Sequence, residues 1–435
     1  MPMTDKQRIP RAASKSAATS KTPSHAAASK TPSHAAAAAD ALSDLKGLSR
    51  GVIDAIAGIT HVVEEMHRNI AGLAPPVGAE PSGTARGISG FVYRSVRGVT
   101  RVVGFGLDAI LAQLPPLLKA TGSMPRRDAV ASALNGVFGD YLEESNNPLA
   151  IAMQLRVGGH PLQLVRDSLA ATFPDASGKV IVLVHGLCMN DLQWKRAGHD
   201  HGAALAESHR CRALYLHYNT GLHISTNGRE FAAILETLTE RWPVPITELV
   251  IIGHSMGGLV ARSACHYATR SRHRWLRKLK KLIFLGTPHH GAPLERAGSW
   301  VDLLLGASPY TAPFARLGRV RSAGIQDLRY GYIYDDDGPP GNSGENGKTG
   351  NTPTSVPPSV KCYAIAGTTQ RKPAKPGGRL FGDGLVAVNS ALGRSGKSGE
   401  SLSIPESRQF ICYGTNHLDL LSNREISDQL VAWIG

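Results

Sequence analysis

The stretch "LVIIGHSMGGLVARSA", residues 249–264, decides the fold class. It begins with an apolar run typical of a buried strand, passes through a serine between glycines, and ends with apolar residues at helical spacing. Gly253, Ser255 and Gly257 match the pattern G-x-S-x-G, a sharp strand-to-helix turn that exposes a nucleophilic serine. We therefore predict that Ser255 is an exposed nucleophile. The two elbow glycines are expected because so sharp a turn leaves no room for bulk.

From about residue 178 onward, short apolar runs alternate with helical stretches. Strands that are apolar throughout and separated by helices are typical of a parallel sheet covered on both faces. The strand candidates are residues 179–186, 213–219, 248–255, 281–286, 360–367 and 408–414. The helical candidates between and after them are residues 227–241, 256–269 and 423–434. Residues 153–164, with a central Gly-Gly pair, predict a hairpin that precedes them.

A serine nucleophile needs a histidine base, and the base needs a carboxylate that fixes its tautomer. With this elbow, the acid follows the serine and the histidine comes last in the chain. His417 directly follows the last strand candidate, and Asp383 follows the penultimate one, between two glycines. We therefore predict Asp383 as the acid and His417 as the base. Asp419 is better placed to cap or solvate the final helix.

The tetrahedral intermediate of acyl transfer also needs hydrogen-bond donors for its oxyanion. The first parallel strand ends in "VHGL", residues 184–187, where the glycine allows the backbone to turn toward the site. We predict one donor to be the backbone N–H of Leu187 or Cys188. The other is the N–H of Met256, directly after the serine. His185 is expected to brace this loop.

Five motifs together resemble the α/β-hydrolase superfamily, specifically bacterial lipase/esterase-type serine hydrolases, and in outline the GPI-inositol deacylase-like lipases. The motifs are "VHGL", "GHSMGGLVAR", "LGTPHHG", "DGLV" and "NHLDLL". The resemblance implies an α/β-hydrolase fold and cleavage of carboxylic esters through an acyl-enzyme on Ser255. The usual lipase form of the fourth motif is "DGxVP", and Ala387 stands here where proline is usual.

The chain divides into three predicted regions. Residues 1–39 are rich in Ala, Ser, Thr, Lys and Pro and contain "SKTPSHAAA" twice, which predicts a disordered basic tail. Residues 40–150 form a helical extension, with apolar residues at helical spacing and arginines along one flank. Residues 151–435 form the catalytic domain, with a helical lid insertion and a flexible loop at about 291–359.

The composition limits partners and location. The net charge of +14 favours contact with anionic surfaces, and the basic helices of the extension favour peripheral contact with a membrane. Five scattered cysteines, no signal peptide and no long apolar run indicate a cytoplasmic protein without a transmembrane helix. We expect no cofactor and no nucleic-acid partner. We also expect no metal site, because no carboxylate or cysteine accompanies the pair His289-His290 at ligand spacing.

Three functions fit these features. The first is hydrolysis of lipid-like or small-molecule esters by Ser255. The second is acyl transfer to an alcohol or thiol through the same serine. The third is a hydrolase-like binding protein tethered to membranes or storage granules by its basic N-terminal region.

Overall fold

The computed structural model describes five stretches of the chain: residues 124–291, 322–335, 356–371, 381–394 and 401–435. Their strands are β1 (Gln154–Val157), β2 (His160–Pro161), β3 (Lys179–Val184), β4 (Arg212–His217), β5 (Glu248–His254), β6 (Leu279–Leu285), β7 (Lys361–Thr368) and β8 (Gln409–Tyr413). Their helices are α1 (Met124–Glu144), α2 (Arg166–Thr172), α3 (His201–His209), α4 (Ile224–Arg241), α5 (Met256–Arg270), α6 (Ala323–Tyr330), α7 (Val388–Ala391) and α8 (Arg424–Ile434).

The eight strands form one mostly parallel sheet in the order β2-β1-β4-β3-β5-β6-β7-β8. The predicted hairpin is present, and β1 runs antiparallel to both β2 and β4. All neighbours from β4 to β8 are parallel. Val184 pairs with Gly253, and His254 pairs with Leu285. The carboxyl ends of β3, β5 and β6 therefore meet at one edge.

Both faces of the central strands are covered, as the apolar runs predict. Alternate residues of β5 enter two different clusters: Leu249 and Ile251 pack in one, and Val250 and Ile252 pack in the other. The first cluster includes buried side chains of α1, α4 and α5, and the second includes those of α3 and α8. Burial on both faces explains why these strands carry no polar alternation.

The predicted strands and helices from residue 178 onward are present, with ends shifted by up to three residues. The structure adds helix α3, which the sequence pattern did not indicate. Asp200 caps it by accepting from Ala203 N at 3.1 Å, but Leu205 is its only large apolar side chain in the buried core. The expected cap of the last helix was also wrong, because Asn423 rather than Asp419 caps α8.

Helix α1 lies within the predicted helical extension of residues 40–150, and it contributes to the main core. Val130, Leu134 and Val137 are buried in the same cluster as the sheet. The predicted tail, the predicted extension up to residue 123 and most of the predicted lid lie outside the described residues. No helix in the described stretches is long and apolar enough to cross a membrane.

The described part of the predicted lid, residues 322–335, lies against the body. Ser322 Oγ donates to Gly136 O of α1 at 2.7 Å. The Asp327 carboxylate of α6 accepts from Ile224 N, at the start of α4, at 2.8 Å. Helix α6 and its cap residue Ser322 are thus hydrogen-bonded to the middle of α1 and to the start of α4.

Candidate active site

Ser255 occupies a strained turn between β5 and α5. Its φ is 54° and its ψ is −124°, in a region that side-chain-bearing residues rarely adopt. A Cβ on Gly257 would collide with the Val184 carbonyl, and one on Gly253 would collide with Gly258. The two predicted elbow glycines are therefore required by close backbone approach. The prediction that Ser255 is exposed was wrong, because its side chain is fully buried. The loop after β3 packs against it: a Cβ on Gly186 would lie 3.1 Å from Ser255 Cβ.

Asp383 and His417 form a buried pair. His417 Nδ1 lies 2.7 Å from Asp383 Oδ2, and both side chains are shielded from solvent. The other carboxylate oxygen accepts from the backbone N–H groups of Leu385 and Val386, at 3.0 and 2.8 Å. His417 N also donates to Asp383 O at 3.0 Å. One carboxylate oxygen is therefore held by two backbone N–H groups, and the other accepts from the imidazole.

This pair lies at the sheet edge where β5 delivers the serine. Ser255 N donates to Leu285 O, the last residue of β6, at 2.9 Å. A Cβ on the next residue, Gly286, would lie 3.1 Å from Asp383 Oδ2 and 3.2 Å from His417 Cε1. Gly286 has a φ of +57°, so glycine suits both the turn and the narrow gap. The three residues predicted from three distant segments therefore meet at one edge.

One of the two alternatives for the first oxyanion donor is corrected by the structure. Cys188 N donates to Thr220 Oγ1 at 3.1 Å, so this amide is already engaged within the protein. Leu187 N–H is then the alternative that we retain. Met256, the other predicted donor, is the first residue of α5, where backbone N–H groups have no acceptor within the helix.

His254 is a residue of this site that the sequence did not indicate. Its Nε2 lies 3.1 Å from His417 O, and the two rings are 4.7 Å apart. Complete burial holds the pKa of His254 well below its usual range, so the ring is neutral and Nε2 carries the proton that it donates. The G-x-S-x-G pattern does not specify this position, and the partner lies 163 residues away.

The loop after β3 is braced by His185, in agreement with the role expected for it. His185 Nδ1 lies 2.9 Å from Gly186 O, and the ring stacks on Tyr218 at 4.5 Å. Burial lowers the pKa of His185 to about 4, so the ring is neutral and donates from Nδ1. His289 Nδ1 lies 3.2 Å from Arg262 Nη1. Within the described stretches, no group of three potential metal ligands is found.

The family model "PGAP1-like alpha/beta domain" matches residues 175–312, less than half of the chain. This segment contains β3 to β6, the nucleophile elbow and the loop after β3. The chain has the α/β-hydrolase fold. A comparison with curated proteins found no significant match.

Several solved structures are similar to this chain. The mature lipase BlEst2 of Bacillus licheniformis is 18% identical, with a TM-score of 0.37 over 58% of this chain and 91% of that one. Lipase B of Aspergillus fumigatus is 13% identical, with a TM-score of 0.35 over 62% and 58%. A thermophilic esterase from Thermogutta terrifontis is 14% identical, with a TM-score of 0.34 over 60% and 90%.

Proposed function

We propose that this protein cleaves carboxylic esters through an acyl-enzyme on Ser255. The observation that carries the proposal is the buried Asp383–His417 pair, hydrogen-bonded at 2.7 Å beside the turn that presents Ser255. A nucleophile, a base and a group that orients the base are the minimum that serine-based acyl transfer needs.

The hydrogen bond to Asp383 supports different roles for the two ring nitrogens of His417. With the proton on Nδ1, the Nε2 of neutral His417 is the base that removes the hydroxyl proton of Ser255. The serine Oγ then bonds to the ester carbonyl carbon, and the N–H groups of Leu187 and Met256 hold the oxyanion. The imidazolium next protonates the leaving alcohol. In the deacylation step, His417 takes a proton from water, and the water attacks the acyl-enzyme ester. The imidazolium then returns the proton to Ser255 Oγ as the carboxylic acid is released.

The substrate class that we propose is a small-molecule or lipid-like carboxylic ester. Acyl chains from acetyl to long-chain fatty acyl, presented as p-nitrophenyl esters, would rank the preference by kcat/KM. The same assay with an added acceptor alcohol tests acyl transfer, because a transferase forms the new ester in preference to the free acid.

Replacing the nucleophile tests the proposal. Ser255→Ala should abolish turnover of p-nitrophenyl esters and labelling by a fluorophosphonate while leaving the cooperative unfolding transition intact. Ser271→Ala, at the exposed far end of the same helix, is the matched control and should retain full activity. Ester turnover by Ser255→Ala at the wild-type rate would exclude the proposal.

Replacing the acid tests the orienting role of Asp383. Asp383→Asn should lower kcat about 10⁴-fold, because the amide no longer selects the imidazole tautomer with a basic Nε2. Asp419→Asn, two residues after His417, serves as the control. An Asp383→Asn variant with unchanged kcat would show that another group orients the base.

A further inference from the structure

The loop after β3 presents Leu187 between two peptide groups, and each peptide group is held by a different partner. The peptide that joins Gly186 to Leu187 is held through its carbonyl. Gly186 O accepts from His185 Nδ1 at 2.9 Å and from Met189 N at 3.3 Å. The N–H and C=O of a trans peptide point in opposite directions. The Leu187 N–H therefore points away from His185 and Met189.

The peptide that joins Leu187 to Cys188 is held through its N–H. Cys188 N donates to Thr220 Oγ1 at 3.1 Å, and both residues are buried. Cys188 has a φ of +58°, an uncommon conformation that needs support from its surroundings. Thr220 lies 32 residues further along the chain, in the loop between β4 and α4. This bond is one link between that loop and the backbone beside Ser255. Tyr218 Oη, which donates to His185 O at 2.8 Å, is another.

The residues around Thr220 are themselves fixed. Asn219 Nδ2 donates to Gly139 O of α1 at 2.9 Å, and its Oδ1 accepts from Gly221 N at 3.0 Å. Gly324 N, in α6, donates to Gly221 O at 2.9 Å. Thr220 is thus held between α1 and α6, two elements outside the sheet. A hydroxyl on so rigid a support can hold the Cys188 amide in one direction.

We propose that Thr220 is a positioning residue, which fixes the peptides flanking Leu187 so that the Leu187 N–H is aimed at the oxyanion. His185 holds the opposite side of the same residue. The inference rests on the function proposed above. Removing one oxyanion donor typically lowers kcat by about 10²–10³-fold, so loosening a donor that is still present should cost about tenfold. KM should stay nearly constant because the oxyanion exists only in the transition state and intermediate.

Two substitutions at Thr220 separate the hydroxyl from the shape of the side chain. Thr220→Val keeps the volume and branching but removes the acceptor for Cys188 N–H. Thr220→Ser keeps the acceptor and removes the methyl group. We expect Thr220→Val to lower kcat about tenfold with KM within about twofold, and Thr220→Ser to restore most of kcat. Hydrogen exchange of the Cys188 amide, followed by NMR in both variants, should accelerate only in Thr220→Val.

The possible results separate this inference from the proposed function. Unchanged kcat in Thr220→Val, or equal loss of kcat in both variants, would overturn the positioning role. Unchanged exchange at Cys188 in Thr220→Val would do the same, because the amide would not depend on the hydroxyl. A wild-type protein that neither turns over esters nor reacts with a fluorophosphonate at Ser255 would instead overturn the proposed function, and the positioning role with it.

Discussion

Ser255 stores backbone strain at the point where its hydroxyl is needed. A non-glycine residue at a φ of 54° and ψ of −124° costs on the order of 1–3 kcal/mol, which the surrounding fold must offset. Glycine adopts this conformation without strain. It also makes the unfolded chain more flexible, which lowers the free energy of unfolding by roughly 0.4–1 kcal/mol. Relief of strain is the larger effect. Ser255→Gly should therefore be about 1 kcal/mol more stable than Ser255→Ala, and both should be inactive.

Urea unfolding of the two variants measures this difference. Ser271→Gly against Ser271→Ala is the control pair, because Ser271 has a φ of −84° and a right-handed helical backbone, where alanine should be the more stable. If Ser255→Gly were the less stable of its pair, the turn would carry no strain that glycine relieves.

The residues of the site differ in how far the sequence reveals them. The placement of Ser255, Asp383 and His417 at one edge of the sheet could be predicted, because each follows a recognisable strand and parallel strands bring their carboxyl ends together. The engagement of the Cys188 amide could not be predicted, because its acceptor is the hydroxyl of Thr220, 32 residues further along the chain. The contact of His254 could not be predicted either, because its partner is the backbone carbonyl of His417, and every residue carries such a carbonyl.

At the scale of elements, α1 approaches the loops of the site so closely that side chains are excluded from part of its surface. A Cβ on Gly139 would collide with Asn219 Oδ1 and lie 2.9 Å from Gly221 Cα. Alanine normally stabilises a helix by about 1 kcal/mol relative to glycine. Overpacking costs about 1–3 kcal/mol and should win here because one obstacle is backbone. Gly139→Ala should thus lower the free energy of unfolding.

Chemical denaturation with Glu144→Ala as the control checks this expectation, since Glu144 lies on the exposed end of the same helix. A stability gain in Gly139→Ala would show that α1 can move away from the 219–221 loop without cost.

The contact between α4 and α6 gives the fold a pH dependence. His223, which precedes α4, lies 3.0 Å from the Asp327 carboxylate of α6. This hydrogen bond is the main cause that raises the pKa of His223, and the charges of Asp327, Asp140 and Asp335 act in the same direction. The folded protein therefore binds the proton more tightly than the unfolded chain. The resulting stabilisation is fully present below about pH 6.5 and is lost as the pH rises through the folded pKa.

Unfolding measured from about pH 5.5 to 8.5 should show this trend as a stability gap between the wild type and His223→Gln that closes as the pH rises. His160→Gln, at an exposed position on β2, is the control. A gap that stays constant or widens toward high pH would mean that the Asp327 contact does not favour the protonated ring.

A helix or strand could be predicted where its apolar residues form a clear pattern in the sequence. The central strands are buried on both faces, so nearly every residue contributes to the pattern. The buried residues of helix α3 are His201, Gly202 and Leu205, and its single large apolar residue, Leu205, produces no periodicity. The elements near the site are best predicted where burial is extensive.

For the whole molecule, the position of α1 bears on where the catalytic body begins. The sequence pattern places the start of the catalytic domain at residue 151, after the helical extension. Yet Leu134 and Val137 of α1 pack in the same cluster as the sheet, and Asn135 bonds Leu149 O and Ile151 N at 2.7 and 2.9 Å. We propose that α1 belongs to the catalytic body and that the division lies before residue 124.

Two truncations test this division. Removing residues 1–150 takes away α1, exposes the apolar side chains that it covers, and leaves the 219–221 loop without its support at Gly139. We expect loss of cooperative unfolding and of ester turnover. Removing residues 1–120 leaves every described contact of α1 in place and should preserve both. Circular dichroism during heating and the p-nitrophenyl ester assay measure the two properties separately. An active, cooperatively folded protein without residues 1–150 would restore the boundary at 151, because the sheet would then not depend on α1.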